Sequence, residues 1–283
     1  MEKNYRYELT ALYGDPVDEN PVGVMMEAGY QKLGLNYRYL NMHVKEENLE
    51  DAIKAIRALG IKGVNLTIPH KVKAIPMLEE LSEAAEIIGA VNVIVNHDGV
   101  LRGENTDGEG FMIALEKAGV TVKGKKVFMI GAGGAARAIG TECALAGAKE
   151  LVIANRSRDR GEELVSMLRE KTGCNCNYVE WNGKLQIPED TDVLVNATSI
   201  GLYPDTNKPN IDYDTIKNHM AVSDVIFNPP ETGFLKEAAK RGAVTIDGLG
   251  MLAYQGAKAF EIWTDHKAPE EVLVEALKKE FKN

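Results

Sequence analysis

Residues 126–137 read KVFMIGAGGAAR, an apolar run that passes without a break into a glycine-rich turn and then into alanines. Lys126 to Ile130 is short enough for a buried strand. The alanine-rich stretch after it keeps a helical pattern through Ala146 and stops at Gly147. Leu151 to Ala154 is the next strand. Strand, tight glycine turn, helix and strand form the opening unit of a doubly wound parallel sheet, and few other folds accept that order. Gly131 permits the tight turn, Gly133 lets backbone approach a pyrophosphate, and a small residue at Ala136 lets the helix pack closely on its strand. The helix N-terminus then offers free N–H groups to phosphate.

The end of the second strand selects the dinucleotide. A carboxylate about 20 residues past the glycines would bond a ribose 2′-hydroxyl. Here Asn155 is followed by Arg156, Ser157, Arg158 and Arg160, with Asp159 among them. A carboxylate repels a 2′-phosphate, whereas arginines with Ser and Asn donors hold one, so NADP is the expected cofactor.

The same alternation extends in both directions. Ahead of the glycines, strand-like segments are Tyr7–Tyr13, Tyr37–Val44, Gly63–Ile68, Ala90–Asn96 and Val100–Arg102. A Gly-Asp-Pro turn at Gly14–Pro16 and an Asp98-Gly99 turn punctuate them, and Met25–Leu33 and Leu49–Leu59 read as helices ending at Gly34 and Gly60. Beyond, strands are expected at Asp192–Ala197, Ala221–Phe227 and Val244–Asp247, and after Gly250 the chain reads as helical with a break near Pro269. The fold class is therefore α/β with two domains. An N-terminal α/β domain spans 1–107, a Rossmann doubly wound parallel-sheet domain spans 108–247, and C-terminal helices span 248–283. A chain of 283 residues suits two domains of ordinary size.

Composition narrows the partners. With 33 basic against 42 acidic residues the net charge is −9, which disfavours nucleic acid or an anionic membrane as the main partner. Met1–Thr10 carries no apolar run for a signal peptide, and no stretch reaches the ~18 apolar residues of a membrane helix. Cys143, Cys174 and Cys176 are too few for a metal cluster and read as reduced thiols of a cytoplasmic protein. No metal is expected.

Two segments offer a proton carrier for hydride chemistry. Asn65–Lys71 (NLTIPHK) ends a strand on Lys71, and Asn105–Gly108 (NTDG) carries Asp107. By composition alone neither is distinctive. The chain nevertheless resembles the shikimate dehydrogenase family, which includes quinate/shikimate dehydrogenases, over essentially its whole length. These two segments carry that resemblance together with Gly89–Asn92 (GAVN), Gly131–Arg137 (GAGGAAR), Asn155–Ser157 (NRS), Asn196–Gly201 (NATSIG), Asp247–Leu252 (DGLGML) and Phe260–Thr264 (FEIWT).

The resemblance implies a two-domain NADP-dependent oxidoreductase that interconverts 3-dehydroshikimate and shikimate, with its active site in the cleft between domains. It implies Lys71 and Asp107 as the catalytic pair, and Asn20, Thr67, Asn92, Asp107, Phe227 and Gln255 as substrate-side positions. Cofactor contacts carry over to Gly131, Ala132, Gly133, Gly134, Ala135, Asn155, Arg156, Ser157, Arg160, Thr198, Val225 and Gly248. The partner is a small-molecule substrate, and the assembly a monomer or homodimer. His70 is expected to be a neighbour of the catalyst, and Phe260 and Trp263 to be core. Met25 and Met26 are expected either in the substrate pocket or in helix packing.

The departures lie on the substrate side. Where the family carries Ser-x-Ser to bind the substrate carboxylate, this chain has Asn20-Pro21-Val22, preceded by Glu19. Phe227 replaces a common Tyr, and Val93 a common Thr. Losing two hydrogen bonds to a charged group costs about 1.5–3 kcal/mol each. A paralogous dehydrogenase of quinate or of a cyclic polyol lacking the carboxylate is thus a second expectation. A non-catalytic NADP(H)-binding regulatory module is a third.

Overall fold

The computed structural model describes residues 5–281; residues 1–4, at the head of the segment read as lacking a leader, and 282–283 lie outside the described residues. Packing divides the chain into two compact units, one ending at Thr106 and resuming at Ala253, the other spanning Asp107–Leu252. Among the described residues no helix is long and apolar enough to cross a membrane.

The first unit contains β1 (Glu8–Gly14), α1 (Val22–Leu33), β2 (Tyr37–His43), α2 (Leu49–Leu59), β3 (Gly63–Leu66), α3 (His70–Lys73), β4 (Glu80–Leu81), α4 (Glu83–Ile88), β5 (Val93–His97) and β6 (Val100–Glu104). The sheet order is β2-β1-β3-β5-β6-β4. β1 lies parallel to β2 and β3, whereas β5 runs antiparallel to β3 and β6. The reversal is made at Asp98 and Gly99, both at positive φ, the backbone that a two-residue hairpin turn requires. Ala11, Tyr13, Ile53, Ile56, Val64 and Leu101 belong to one core cluster on this sheet.

The second unit contains α5 (Asp107–Lys117), β7 (Lys126–Ile130), α6 (Gly134–Leu145), β8 (Glu150–Asn155), α7 (Arg158–Thr172), β9 (Cys176–Glu180), β10 (Val193–Asn196), β11 (Ala221–Asp224), α8 (Gly233–Lys240) and β12 (Val244–Ile246). Its sheet is parallel throughout, in the order β12-β11-β10-β7-β8-β9. Strands β7 to β9 progress one way and β10 to β12 the other, so the winding reverses between β7 and β10. In open α/β sheets ligands bind at the carboxyl ends of the strands beside that reversal.

The helix α9 (Gly248–Thr264) enters the first unit from Ala253 on, and α10 (Glu270–Glu280) closes that unit. Phe260 stacks on Tyr30 at 5.1 Å, and the Trp263 indole donates to the carbonyl of Ile94 at 3.0 Å. A side chain at Gly63 would collide with that indole, which is why the strand carries glycine there. Met25 and Met26 are fully buried, and Met25 packs where a side chain on Gly256 would stand. Both belong to helix packing.

Several elements differ from the sequence reading. α1 begins at Val22 because the Asn20 side-chain carbonyl accepts the Val22 N–H at 3.1 Å. β3 ends at Leu66 rather than Ile68, since Thr67 N–H donates to Tyr13 and its carbonyl accepts from His70, turning the chain. β11 ends at Asp224 rather than Phe227 because the Asp224 carboxyl accepts the Ile226 N–H at 3.1 Å. The short β4 and the polar β9 carry too little apolar pattern to be read from sequence.

Candidate active site

In the second unit the turn after β7 is built from backbone. Gly131 sits at φ 113, and a Cβ there would lie 2.8 Å from the carbonyl oxygen of Ala197, so only glycine fits. Gly133 and Gly134 are exposed, and a Cβ on either would meet nothing within 4 Å. Ala132 and Ala135 are half-buried beside them, and Ala136 is fully buried, letting α6 lie close to the sheet. The open peptide surface at the head of a twelve-residue helix fits a pyrophosphate.

The end of β8 is held just as firmly. Asn155 donates through Nδ2 to the Ser157 carbonyl at 2.8 Å, and its own carbonyl accepts the Tyr178 hydroxyl at 3.0 Å. Of the arginines that follow, Arg158 pairs with Glu162 at 2.8 Å, while Arg160 is exposed. Arg156 is exposed and lies over the Trp181 ring, 5.5 Å from its centroid. No carboxylate terminates β8, so these residues fit a 2′-phosphate better than a free ribose hydroxyl.

Thr198 is engaged locally: its hydroxyl donates to Asn196 Oδ1 at 2.7 Å and accepts the Ile200 N–H at 3.1 Å, shaping the turn past β10. Val225 and Gly248 meet, since a Cβ on Gly248 would stand 2.6 Å from the Val225 carbonyl oxygen. Sequence reading missed Asp224. It is buried beneath this face and accepts from Asn196 Nδ2 at 2.9 Å and from the Thr232 hydroxyl at 2.7 Å. Burial pushes its carboxyl up to about 6. Asp107 opens α5, and Gly108 beside it allows α5 to approach α6, where a Cβ would lie 2.6 Å from the Ala138 carbonyl oxygen. Phe227 is half-buried just past β11.

In the first unit the candidate residues stand on a buried amide network. Asn92 accepts the Thr106 N–H at 2.8 Å through Oδ1, and its Nδ2 donates to Thr106 Oγ1 at 3.0 Å and Gln255 Oε1 at 3.4 Å. Asn65 Nδ2 donates to the Asn92 carbonyl at 3.3 Å, and Asn65 Oδ1 accepts the Tyr39 hydroxyl at 2.7 Å. Full burial holds the Tyr39 phenol well above its ordinary pKa, so it remains a donor. Asn65 and Thr106 lie inside motifs visible in the sequence, whereas Tyr39 had no signal beyond a strand pattern.

Lys71 is half-buried in α3, its carbonyl accepting the Val91 N–H at 2.8 Å. Its neighbour His70 is fully buried and bonded through Nε2 to the Val44 carbonyl at 2.7 Å, a structural support. Thr67 packs against Gly14, where a Cβ would lie 2.2 Å from Thr67 Cγ2. Asn20 stands in the neighbouring loop; its Oδ1 is spent on Val22, and its backbone carbonyl accepts Asn41 Nδ2 at 3.0 Å. Val22, the last residue of the Asn20-Pro21-Val22 segment, is buried.

Comparison with known proteins agrees with this architecture. Residues 12–94 match the model of the shikimate dehydrogenase substrate binding domain, residues 112–207 that of shikimate / quinate 5-dehydrogenase, and residues 248–278 the shikimate 5′-dehydrogenase C-terminal domain. The shikimate dehydrogenase (NADP(+)) of Methanopyrus kandleri is 44% identical over 273 residues, covering 95% of this chain and 94% of that protein. The solved structure of a shikimate dehydrogenase in complex with NADP+ superposes with a TM-score of 0.92 at 39% identity, covering 99% of this chain and 98% of the other. The ligand-free 5-ketofructose reductase of Gluconobacter sp. strain CHM43 superposes with a TM-score of 0.95 at 42% identity, covering 98% and 100%. Three family models, and relatives 39–44% identical, thus cover nearly the whole chain, and the protein belongs to the shikimate dehydrogenase family.

Proposed function

We propose that this chain is an NADP-dependent oxidoreductase that transfers hydride reversibly between NADPH and 3-dehydroshikimate, giving shikimate. The observation that carries this reading is the second unit's glycine turn together with Asn155 at the end of β8, where an NAD site would carry a carboxylate, followed by Arg156. Bound NADPH supplies the hydride. In this reading the Lys71 ammonium donates to the substrate's carbonyl oxygen and gives up its proton as that oxygen becomes a hydroxyl. Asp107, the acidic member of the proposed pair, accepts a hydrogen bond from a substrate hydroxyl. Asn92 and Gln255, whose side chains already meet at 3.4 Å, and Thr67 hold ring hydroxyls. Phe227 supplies an apolar wall. Asn155, Ser157, Arg156 and Arg160 bind the 2′-phosphate, while Gly131–Ala135 take the pyrophosphate and Thr198, Val225 and Gly248 the nicotinamide half. The same reading makes the protein a cytoplasmic monomer or homodimer.

A second reading keeps this chemistry but gives the pocket to a ring without a carboxylate. Asn20 offers only its amide N–H groups, Pro21 has no N–H, Val22 is buried, and Asp15, Asp18 and Glu19 crowd the same loop with negative charge. The resemblance to a protein named 5-ketofructose reductase supports it.

Steady-state oxidation of shikimate and quinate, with NADP and with NAD, decides between them. A kcat/KM of about 10⁴ M⁻¹s⁻¹ or more with shikimate and NADP upholds the first reading. Negligible turnover of both acids with NADPH still bound, and reduction of neutral keto-polyols, upholds the second.

A further inference from the structure

Arg156 is placed by an aromatic ring rather than by a carboxylate. Among the described residues it has no acidic partner within ion-pair distance, in contrast to Arg158 on Glu162 and Arg137 on Glu163. Its guanidinium lies 5.5 Å from the centroid of Trp181. That distance is within cation–π range, and the ring leaves the positive charge undiminished for another anion.

Trp181 itself cannot turn away. It is only 6% exposed and belongs to the core cluster beneath the sheet. Its backbone N–H donates to the Asn155 carbonyl at 3.1 Å, and its indole N–H to the Asn210 carbonyl at 3.1 Å. The indole therefore spans from the end of β8 to the loop before Ile211. A cavity of about 490 Å³ opens there, lined by Arg156, Trp181, Ser199, Asp205, Asn207 and Lys208 among others. Of the two lysine and arginine charges in that lining, Lys208 is shared with Glu237 at 3.4 Å and lies over Tyr213. Arg156 is left as the cation free of a carboxylate.

We propose that Trp181 is a positioning residue that holds the Arg156 guanidinium for the 2′-phosphate and so sets the preference for NADP over NAD. This rests on the NADP reading above. A long arginine at a strand end loses rotamer freedom when it binds an anion, and a fixed ring beneath it removes part of that loss beforehand.

The test is calorimetric titration of NADPH and NADH, without substrate, into the wild type, Trp181→Leu, Trp181→Phe, Arg156→Ala and the Trp181→Phe/Arg156→Ala double variant. Each is first checked for a cooperative thermal transition. Trp181→Leu is expected to weaken NADPH about two- to fivefold, the size of an exposed cation–π contact, with NADH unchanged. Trp181→Phe keeps a ring and the fold, so a smaller loss is expected, and none in the Arg156→Ala background. Equal loss for both nucleotides, or the same loss with and without Arg156, overturns the proposal by making Trp181 a structural residue only. Equal wild-type affinity for NADPH and NADH overturns the cofactor reading itself, whatever the variants do.

Discussion

The two units build their candidate binding features from different materials. In the second unit the essential features are backbone: a glycine at φ 113, two glycines open on one side, and a helix N-terminus. In the first unit they are side chains, Tyr39, Asn65, Asn92 and Gln255, fixed by one another at 2.7–3.4 Å. Backbone recognition of a phosphate tolerates change in most side chains as long as the turn survives. A side-chain network does not, because removing one member leaves its buried partners without hydrogen bonds.

The comparison can be broken most directly at Lys71. Lys71→Ala is expected to lower kcat by about 10²–10⁴-fold, the range of a lost general acid, with NADPH affinity within twofold of wild type. A variant with unaltered kcat, measured under saturating cofactor, would remove Lys71 from the chemistry.

Gly131→Ala comes next. It forces an alanine into the left-handed region against the Ala197 carbonyl, a strain of about 1–3 kcal/mol, and should lower both Tm and NADPH affinity. Ala132→Ser, at the half-buried neighbour, should do neither; if it is as harmful as Gly131→Ala, backbone geometry is not what the turn supplies. Asn92→Ala orphans the buried Thr106 N–H and should cost about 1–3 kcal/mol in urea unfolding while leaving NADPH titration unchanged.

The smallest effect sharpens the comparison by pH. Asp224 has a folded-state pKa raised from 3.8 to about 6, chiefly by desolvation. The folded state therefore holds that proton more tightly than the unfolded chain. Its stabilising contribution is complete below about pH 4 and is lost as pH rises through 6. Asp224→Asn keeps the oxygen that accepts from Asn196 and Ile226 and presents an amide to Thr232. The difference in unfolding midpoint between variant and wild type should shift in the variant's favour between pH 4 and 7. A constant difference across that range would show that Asp224 does not titrate there.

Much of the second unit was legible in the sequence because its signals are local. A strand running into Gly131-Ala132-Gly133 and a helix after it specify turn, helix dipole and close packing at fixed offsets. Asn155 in place of a carboxylate, with Arg156 next after it, is likewise one short stretch at the end of one strand. The motifs holding Lys71, Asn92 and Asp107 were visible as text, but composition and spacing alone assigned them no role; the family resemblance did.

What only the tertiary structure decided are the contacts between distant segments. Asn92 and Gln255 meet across 163 residues because the sheet order sets β5 beside β3 while α9 returns to the first unit. Asp224 acquires its raised pKa from desolvation by burial, against the lowering effect of its bonds from Thr232, Ile226 and Asn196, and Trp181 meets Arg156 because β9 pairs with β8. Backbone conformation follows from nearest neighbours in the chain. Desolvation and side-chain pairing follow from which strands lie side by side, and no local window of sequence contains that information.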